Sequence, residues 1–239
     1  MVIRFFIAIS LIFSFQGIAA QSVEQYFSQG LDRHKSKDYT GAIADFSSAI
    51  NQNPENPTLY YCRGQSRLEL KKYDEAIADF SQAISLSPFN QQAFFYRAKA
   101  KEQKGNFRGA IEDYTEVLKI DPQHSESYLC RGKAKHLLKN YIDAITDFDI
   151  LLKMDSLNIK GLFNRSLAKY AMLDFGGTIL DLERVIDLDP THVEAFYYRG
   201  LAYIRSGKLE YGCADLYKVQ QMGDTRANQW IKDRCNTTD

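Results

Sequence analysis

The sequence predicts an all-α fold made of one antiparallel helix pair used six times, and three patterns in mutual register predict it. A helical quintet recurs every 34 residues: Ala42-Ile43-Ala44-Asp45-Phe46, Ala76-Ile77-Ala78-Asp79-Phe80, Ala110-Ile111-Glu112-Asp113-Tyr114, Ala144-Ile145-Thr146-Asp147-Phe148, Thr178-Ile179-Leu180-Asp181-Leu182 and Gly212-Cys213-Ala214-Asp215-Leu216. Arginine before a small residue keeps the same step, in Arg63-Gly64, Arg97-Ala98, Arg131-Gly132, Arg165-Ser166 and Arg199-Gly200. Proline punctuates the units at Pro54, Pro88, Pro122 and Pro190, with Ser156 standing in once. A period of this length marks stacked units, each too small to bury its own apolar face.

The elements follow in order along the chain. Repeat 23–56 places Tyr26 at position 4, Gly30 at position 8 and Phe46 at position 24, and ends past Pro54. Repeat 57–90 repeats this with Tyr60, Gly64 and Phe80, and its second helix shows apolar groups at helical spacing in Tyr73, Ile77, Phe80 and Ile84. Repeat 91–124 has Phe94, Ala98 and Tyr114; repeat 125–158 has Tyr128, Gly132 and Phe148. Repeats 159–192 and 193–226 stray furthest, with Leu162, Ser166 and Leu182, then Phe196, Gly200 and Leu216. Small residues at positions 8 and 20, such as Gly64 with Ala76, are expected to let the paired helices approach closely. Proline is expected to stop each second helix, because it lacks the amide proton and clashes with the preceding turn. Trp230 falls 34 residues after Phe196, so residues 227–239 read as the first helix of a seventh unit, a cap.

These recurring positions closely resemble the tetratricopeptide repeat family over residues 23–238. The resemblance implies a right-handed superhelical solenoid of six helix pairs plus a C-terminal capping helix, with first helices lining a concave groove toward which position 5 points. That stripe is Phe27, Tyr61, Phe95, Leu129, Phe163 and Tyr197. It reads as a ladder of partner-binding rings for an extended peptide or a glycan, against the plainer reading that the rings pack between adjacent helices. Neighbouring residues on a helix diverge by about 100°, so the position-4 and position-5 sets cannot face the same helix. Family members that clamp a cytosolic chaperone's carboxylate tail present lysine and asparagine at positions 5 and 9 of their first repeat. Phe27 and Leu31 stand there, which excludes that specificity.

Residues 1–20 break the pattern. A basic start at Arg4, an apolar run from Phe5 to Phe15 and a small-residue exit at Ala19-Ala20 read as a cleavable secretory signal, with Gln21 starting the mature chain. The run is too short to span a bilayer of about 30 Å comfortably. Periplasmic or extracellular placement follows, and the resemblance is to exported bacterial members of the family.

The 30 lysines and arginines balance 30 aspartates and glutamates, so no positive field marks a nucleic-acid binder. His34, His124, His136 and His192 lack metal-ligand spacing and read as surface side chains. No nucleophile elbow, phosphate-cradling loop or zinc-protease motif occurs. Arginine at position 7 and aspartate at position 23 recur too often to be catalytic, since an active site is made once, and read as structural pairs. Equal distance from the intervening proline predicts pairing between repeats, Asp45 with Arg63 and Asp79 with Arg97. Cys213 and Cys235 lie eleven residues either side of Asp224. Helices folded about that point would level them, predicting a disulfide in an oxidising compartment.

Together these features predict an exported, non-enzymatic scaffold binding protein or peptide in its concave groove within an envelope-associated assembly. It would have no metal or cofactor, would not bind nucleic acid, and would meet membrane only through a partner. The rival readings are a glycan-binding protein that uses the aromatic stripe and an enzyme subunit whose catalytic partner is another chain.

Overall fold

In the computed structural model, residues 23–235 are described; the expected signal at residues 1–20 and the last four residues lie outside them. The described residues are all helical or turn, and they separate into two compact units, one ending at Pro122 and the other beginning at Gln123.

Unit 1 holds three helix pairs. They are α1 (23–35) with α2 (Tyr39–Gln52), α3 (Pro57–Glu69) with α4 (Tyr73–Leu86), and α5 (Gln91–Gln103) with α6 (Phe107–Ile120). Unit 2 holds α7 (Ser125–Leu137) with α8 (Tyr141–Met154), α9 (Ile159–Ala171) with α10 (Phe175–Leu188), and α11 (Val193–Arg205) with α12 (Leu209–Gln221). After α12 come the short α13 (Ala227–Trp230) and a π-helical turn, Ile231–Cys235, so the cap is not one regular helix.

Local chemistry sets the ends. First helices are capped from position 34 of the preceding repeat: Asn56, Asn90 and Asn158 accept from backbone amides two or three residues on, satisfying donors that no helical carbonyl reaches. His124 and His192 do the same through Nδ1, at 3.2 Å from the amides of Ser127 and Ala195. Each first helix then reverses through a left-handed residue at position 15: Lys37, Lys71, Gly105, Lys139, Leu173 and Gly207, with φ between 59° and 84°. Proline is not what stops the second helices. Helix α8 is as long as α2, α4, α6 and α10 although Ser156 replaces the proline, and all five turn outward through an extended residue such as Asn53 or Asp155. The next N-cap follows three residues later.

Position 24 supplies the centre of each pair: Phe46, Phe80, Tyr114, Phe148, Leu182 and Leu216 are wholly buried. A Cβ on Gly64 would sit 2.8 Å from Phe80 Cε1, and one on Gly132 would sit 2.6 Å from Phe148 Cε1. The small residue at position 8 therefore seats the position-24 ring, more than it lets backbones touch. Backbone approach appears in the sixth repeat, where a Cβ on Gly212 would lie 2.7 Å from the Gly200 carbonyl oxygen. Glycine there, with Leu216 in place of a ring, answers a tighter helix pair. Thr178, the other departure at position 20, is fully buried and donates its hydroxyl to the Asp174 carbonyl at 2.7 Å.

Candidate functional site

The repeated arginines and aspartates pair within repeats, not between them. Arg63 grips Asp79 with Nη2 at 2.7 Å and Nε at 3.0 Å, and Arg67 closes on the second oxygen at 2.6 Å. The same triad joins Asp113 to Arg97 and Lys101, Asp147 to Arg131 and Lys135, and Asp181 to Arg165 and Lys169. Asp215 holds Arg199 at 2.8 Å. The expected Asp45–Arg63 pairing and its successors are thus overturned. A link between repeats does exist, at position 25: Arg63 and Arg97 donate Nη1 to Ser47 and Ser81 at 3.0 Å, and Arg165 reaches Asp149 at 2.6 Å. Arg63, Arg97, Arg131 and Arg199 also lie 5.4–5.6 Å above the position-4 rings of Tyr60, Phe94, Tyr128 and Phe196. These groups are saturated and structural. In the first repeat, where Gln29 occupies position 7, Asp45 keeps only Arg33, at 3.2 Å, among the described residues, and its buried Oδ2 has no hydrogen-bond partner among them.

Position 5 is neither bare groove nor pure core. In unit 1, Phe27 and Tyr61 are half-buried, each 6.1 Å from its repeat's position-24 ring, whereas Phe95 is only 6 % exposed and lies 5.8 Å from Tyr114. Tyr96, at position 6, bridges the two central rings, 5.7 Å from Tyr61 and 5.6 Å from Phe95. Gln65 donates to the Tyr61 hydroxyl at 2.9 Å, and the Lys99 ammonium lies 5.3 Å from the Phe95 centroid. Burial, reinforced by Tyr96, raises the Tyr61 phenol well above its ordinary range, so it stays neutral.

In unit 2, Leu129 is half-buried against the Ala144, Phe148 and Ala168 cluster. Phe163 packs 4.8 Å from His192 and 6.1 Å from Tyr198, and Tyr197 lies 5.4 Å from Tyr198 under the Arg226 guanidinium. Each unit therefore shows a row of rings anchored on one side. The aromatics at position 6, Tyr96 and Tyr198, belong to these rows, and their offset of three repeats is the sequence signal that would have found them.

The four histidines are half-buried rather than fully exposed. His34 Nδ1 lies 2.9 Å from Ser66 Oγ, across to position 10 of the next repeat. His136 holds the same place in the fourth repeat, but the residue at position 10 of the next repeat is Ala168, and the buried Nδ1 of His136 has no hydrogen-bond partner among the described residues. Burial holds His136 below the ordinary imidazole value. Among the described residues no group of three metal-capable side chains converges, and no helix is long and apolar enough to cross a membrane. Cys213 and Cys235 form a disulfide with alpha carbons 5.6 Å apart. Cys62 is a buried free thiol that burial pushes up to about 11, so it is unreactive at neutral pH.

Comparison with known proteins agrees with this geometry. Models of the tetratricopeptide repeat match residues 57–90 and 91–124, and a TPR repeat model matches 30–70. A search of curated proteins finds no relative. Among solved structures, the chain is similar to a tetratricopeptide repeat protein from Parabacteroides merdae, with TM-score 0.75, 23 % identity, and 88 % of this chain and 84 % of that one covered. It is also similar to the C-terminal part of a TPR repeat-containing protein from Cytophaga hutchinsonii, with TM-score 0.76, 20 % identity and 86 % of each chain covered. YrrB, a TPR protein with an unusual peptide-binding site, aligns with TM-score 0.70 and 17 % identity over 78 % of this chain and 97 % of its own. Residues 30–124 thus carry tetratricopeptide repeats, and the same helix pair recurs every 34 residues through the described chain, which has the fold of that family.

Proposed function

We propose that this protein is an exported adaptor that captures an extended segment of a partner protein on the first-helix faces of its repeats. The family reading makes it a protein-interaction scaffold; the one-sided ring rows carry the finer statement. Tyr61 and Tyr96, backed by the buried Phe95, hold fixed apolar surface at little entropic cost, while Gln65 and Lys99 supply polar groups beside it. Such a row suits a peptide whose side chains alternate between ring contact and solvent. The peptide-binding site of YrrB, a structural neighbour, supports the same use. Export is supported by the pattern of residues 1–20 and by the Cys213–Cys235 bridge, which belongs to an oxidising compartment. Work in an envelope assembly, without catalysis of its own, fits both.

Panning a displayed peptide library on the folded protein, followed by calorimetry of the selected peptides, tests the reading. Selected peptides should lose about 1–3 kcal/mol of affinity with Tyr61→Ala. Retention on polysaccharide that falls with the same change, with no peptide selected, would replace the peptide with a glycan.

A further inference from the structure

Where the fourth repeat of unit 2 meets the fifth, two departures from the repeat pattern coincide. In the repeats on either side, the position-4 ring reaches the surface under the position-7 arginine: Tyr128 and Phe196 are half-buried, 5.5 Å from the Arg131 and Arg199 guanidinium carbons. Leu162 takes that position in the fifth repeat and is only 1 % exposed, so among the described residues no ring lies under Arg165. Ser156 stands where the other junctions have a proline ring. The result is a notch of about 260 Å³, with the buried Leu152 and Leu162 beneath and Arg165, Lys153 and Arg184 around it.

The charges around the notch do not cancel. Asp149 and Asp181 each hold Arg165 at 2.6 Å, so that cation is already answered. Arg184 gives one donor to the Ser156 carbonyl at 3.1 Å, and Lys153 has no partner among the described residues. Asp155, the nearest carboxylate along the chain, is turned to its own loop, where it accepts from Leu157 and Asn158. Two exposed cations therefore stand unpaired beside an apolar floor.

We infer that this notch receives an aromatic side chain of a partner protein, next to an acidic residue of the same segment. The ring would lie on Leu152 and Leu162 against the Arg165 guanidinium, as Tyr128 and Phe196 lie under Arg131 and Arg199, because a guanidinium face stacks on rings better than on aliphatic chains. The neighbouring carboxylate would meet Lys153 and Arg184. Pockets that enclose a small molecule hold about 300–1,000 Å³, so a notch of this size suits one protruding side chain. Phe163, in the ring row of unit 2, lies about 100° further round α9 than Leu162, so the notch is a separate contact. It shares with the proposed function only the premise that the partner is a protein.

Titration of the folded protein with three dipeptides, acetylated and amidated at their ends and followed by NMR at the Leu162 methyls and the Arg184 Nε proton, tests this. Glu-Phe should bind saturably with a Kd of about 1 mM, as a single small pocket allows. Glu-Ala and Gln-Phe should each bind about fivefold or more weakly, for want of the ring or the charge. Arg184→Gln, on the surface, should lower Glu-Phe to the level of Gln-Phe. Leu162→Phe, which restores the ring of the neighbouring repeats, should block Glu-Phe. No saturable shift at Leu162 with Glu-Phe overturns the inference, and so does equal binding of the three dipeptides. Inorganic phosphate that binds at Arg184 as tightly as Glu-Phe would reduce the notch to a bare anion site and equally overturn it. Shifts confined to Phe163 and Tyr197 would support the ring row while overturning the notch.

Discussion

Asp79 illustrates how one carboxylate fastens a repeat. It accepts from Arg63 and Arg67 while almost fully buried, so removing it strands two cations between helices. Asp79→Ala is expected to cost about 3–5 kcal/mol in urea unfolding, the range for breaking a buried pair from one side. Asp45→Asn should cost much less, because among the described residues Asp45 has a single partner and an orphan oxygen that an amide tolerates. Equal losses would contradict the triad account. Sequence alone identified these residues as structural mortar but mispaired them. Asp79 lies two residues past the level of Arg63, about 3 Å along the axis, and an arginine spans that easily. Side chains also lean toward the helix N-terminus, which brings Asp79 back toward Arg63.

His136 gives a second test at this scale. Its folded-state value is depressed by burial, so the unfolded chain binds the proton more readily. The resulting stability is complete above the ordinary imidazole value near 6.5 and is lost as pH falls below it. Unfolding titrations at pH 7 and pH 6 should show a smaller drop for His136→Gln than for wild type. Ala168→Ser should stabilise at neutral pH by about 1 kcal/mol by supplying the hydroxyl that Ser66 gives His34. No stabilisation would mean the cavity cannot admit the oxygen.

The helix pairs read directly from the sequence at the element scale, because the 34-residue step fixes both the buried position 24 and the turns. Their ends did not, since α8 stops without a proline and the left-handed turn accepts Lys37, Lys71, Lys139 and Leu173 as well as glycine. Leu173→Gly is expected to raise stability by about 1 kcal/mol, measured by thermal melting. Gly64→Ala should destabilise by about 1–3 kcal/mol, because the added methyl meets a buried ring. Ala98 against Tyr114 shows that a repeat built for the extra carbon accommodates it. The bridge between Cys213 and Cys235 closes a 22-residue separation and ties the cap to α12. Its loss in Cys235→Ser should cost about 3 kcal/mol, with hydrogen exchange in α12 and the cap accelerating first.

For the molecule as a whole, packing and the proposed recognition draw on one aromatic stripe, and this is why the sequence could not separate them. Position 5 was legible as an aromatic row, but whether a ring faces solvent depends on what position 6 and position 24 put beside it. Phe95 is buried between Tyr96 and Tyr114, whereas Phe27, Tyr61, Phe163 and Tyr197 are half-buried. Partner capture should therefore respond to Tyr61, and fold stability to Phe80 and Phe95.

The most direct measurement is peptide affinity per folded molecule, by calorimetry with a library-selected peptide, for wild type, Tyr61→Ala and the core control Phe80→Ala. The account predicts that Tyr61→Ala weakens binding at least fivefold, whereas Phe80→Ala lowers the melting temperature but leaves the affinity of the folded fraction unchanged. Undiminished affinity in Tyr61→Ala, or an equal loss in both variants, would contradict recognition by the first-helix rings.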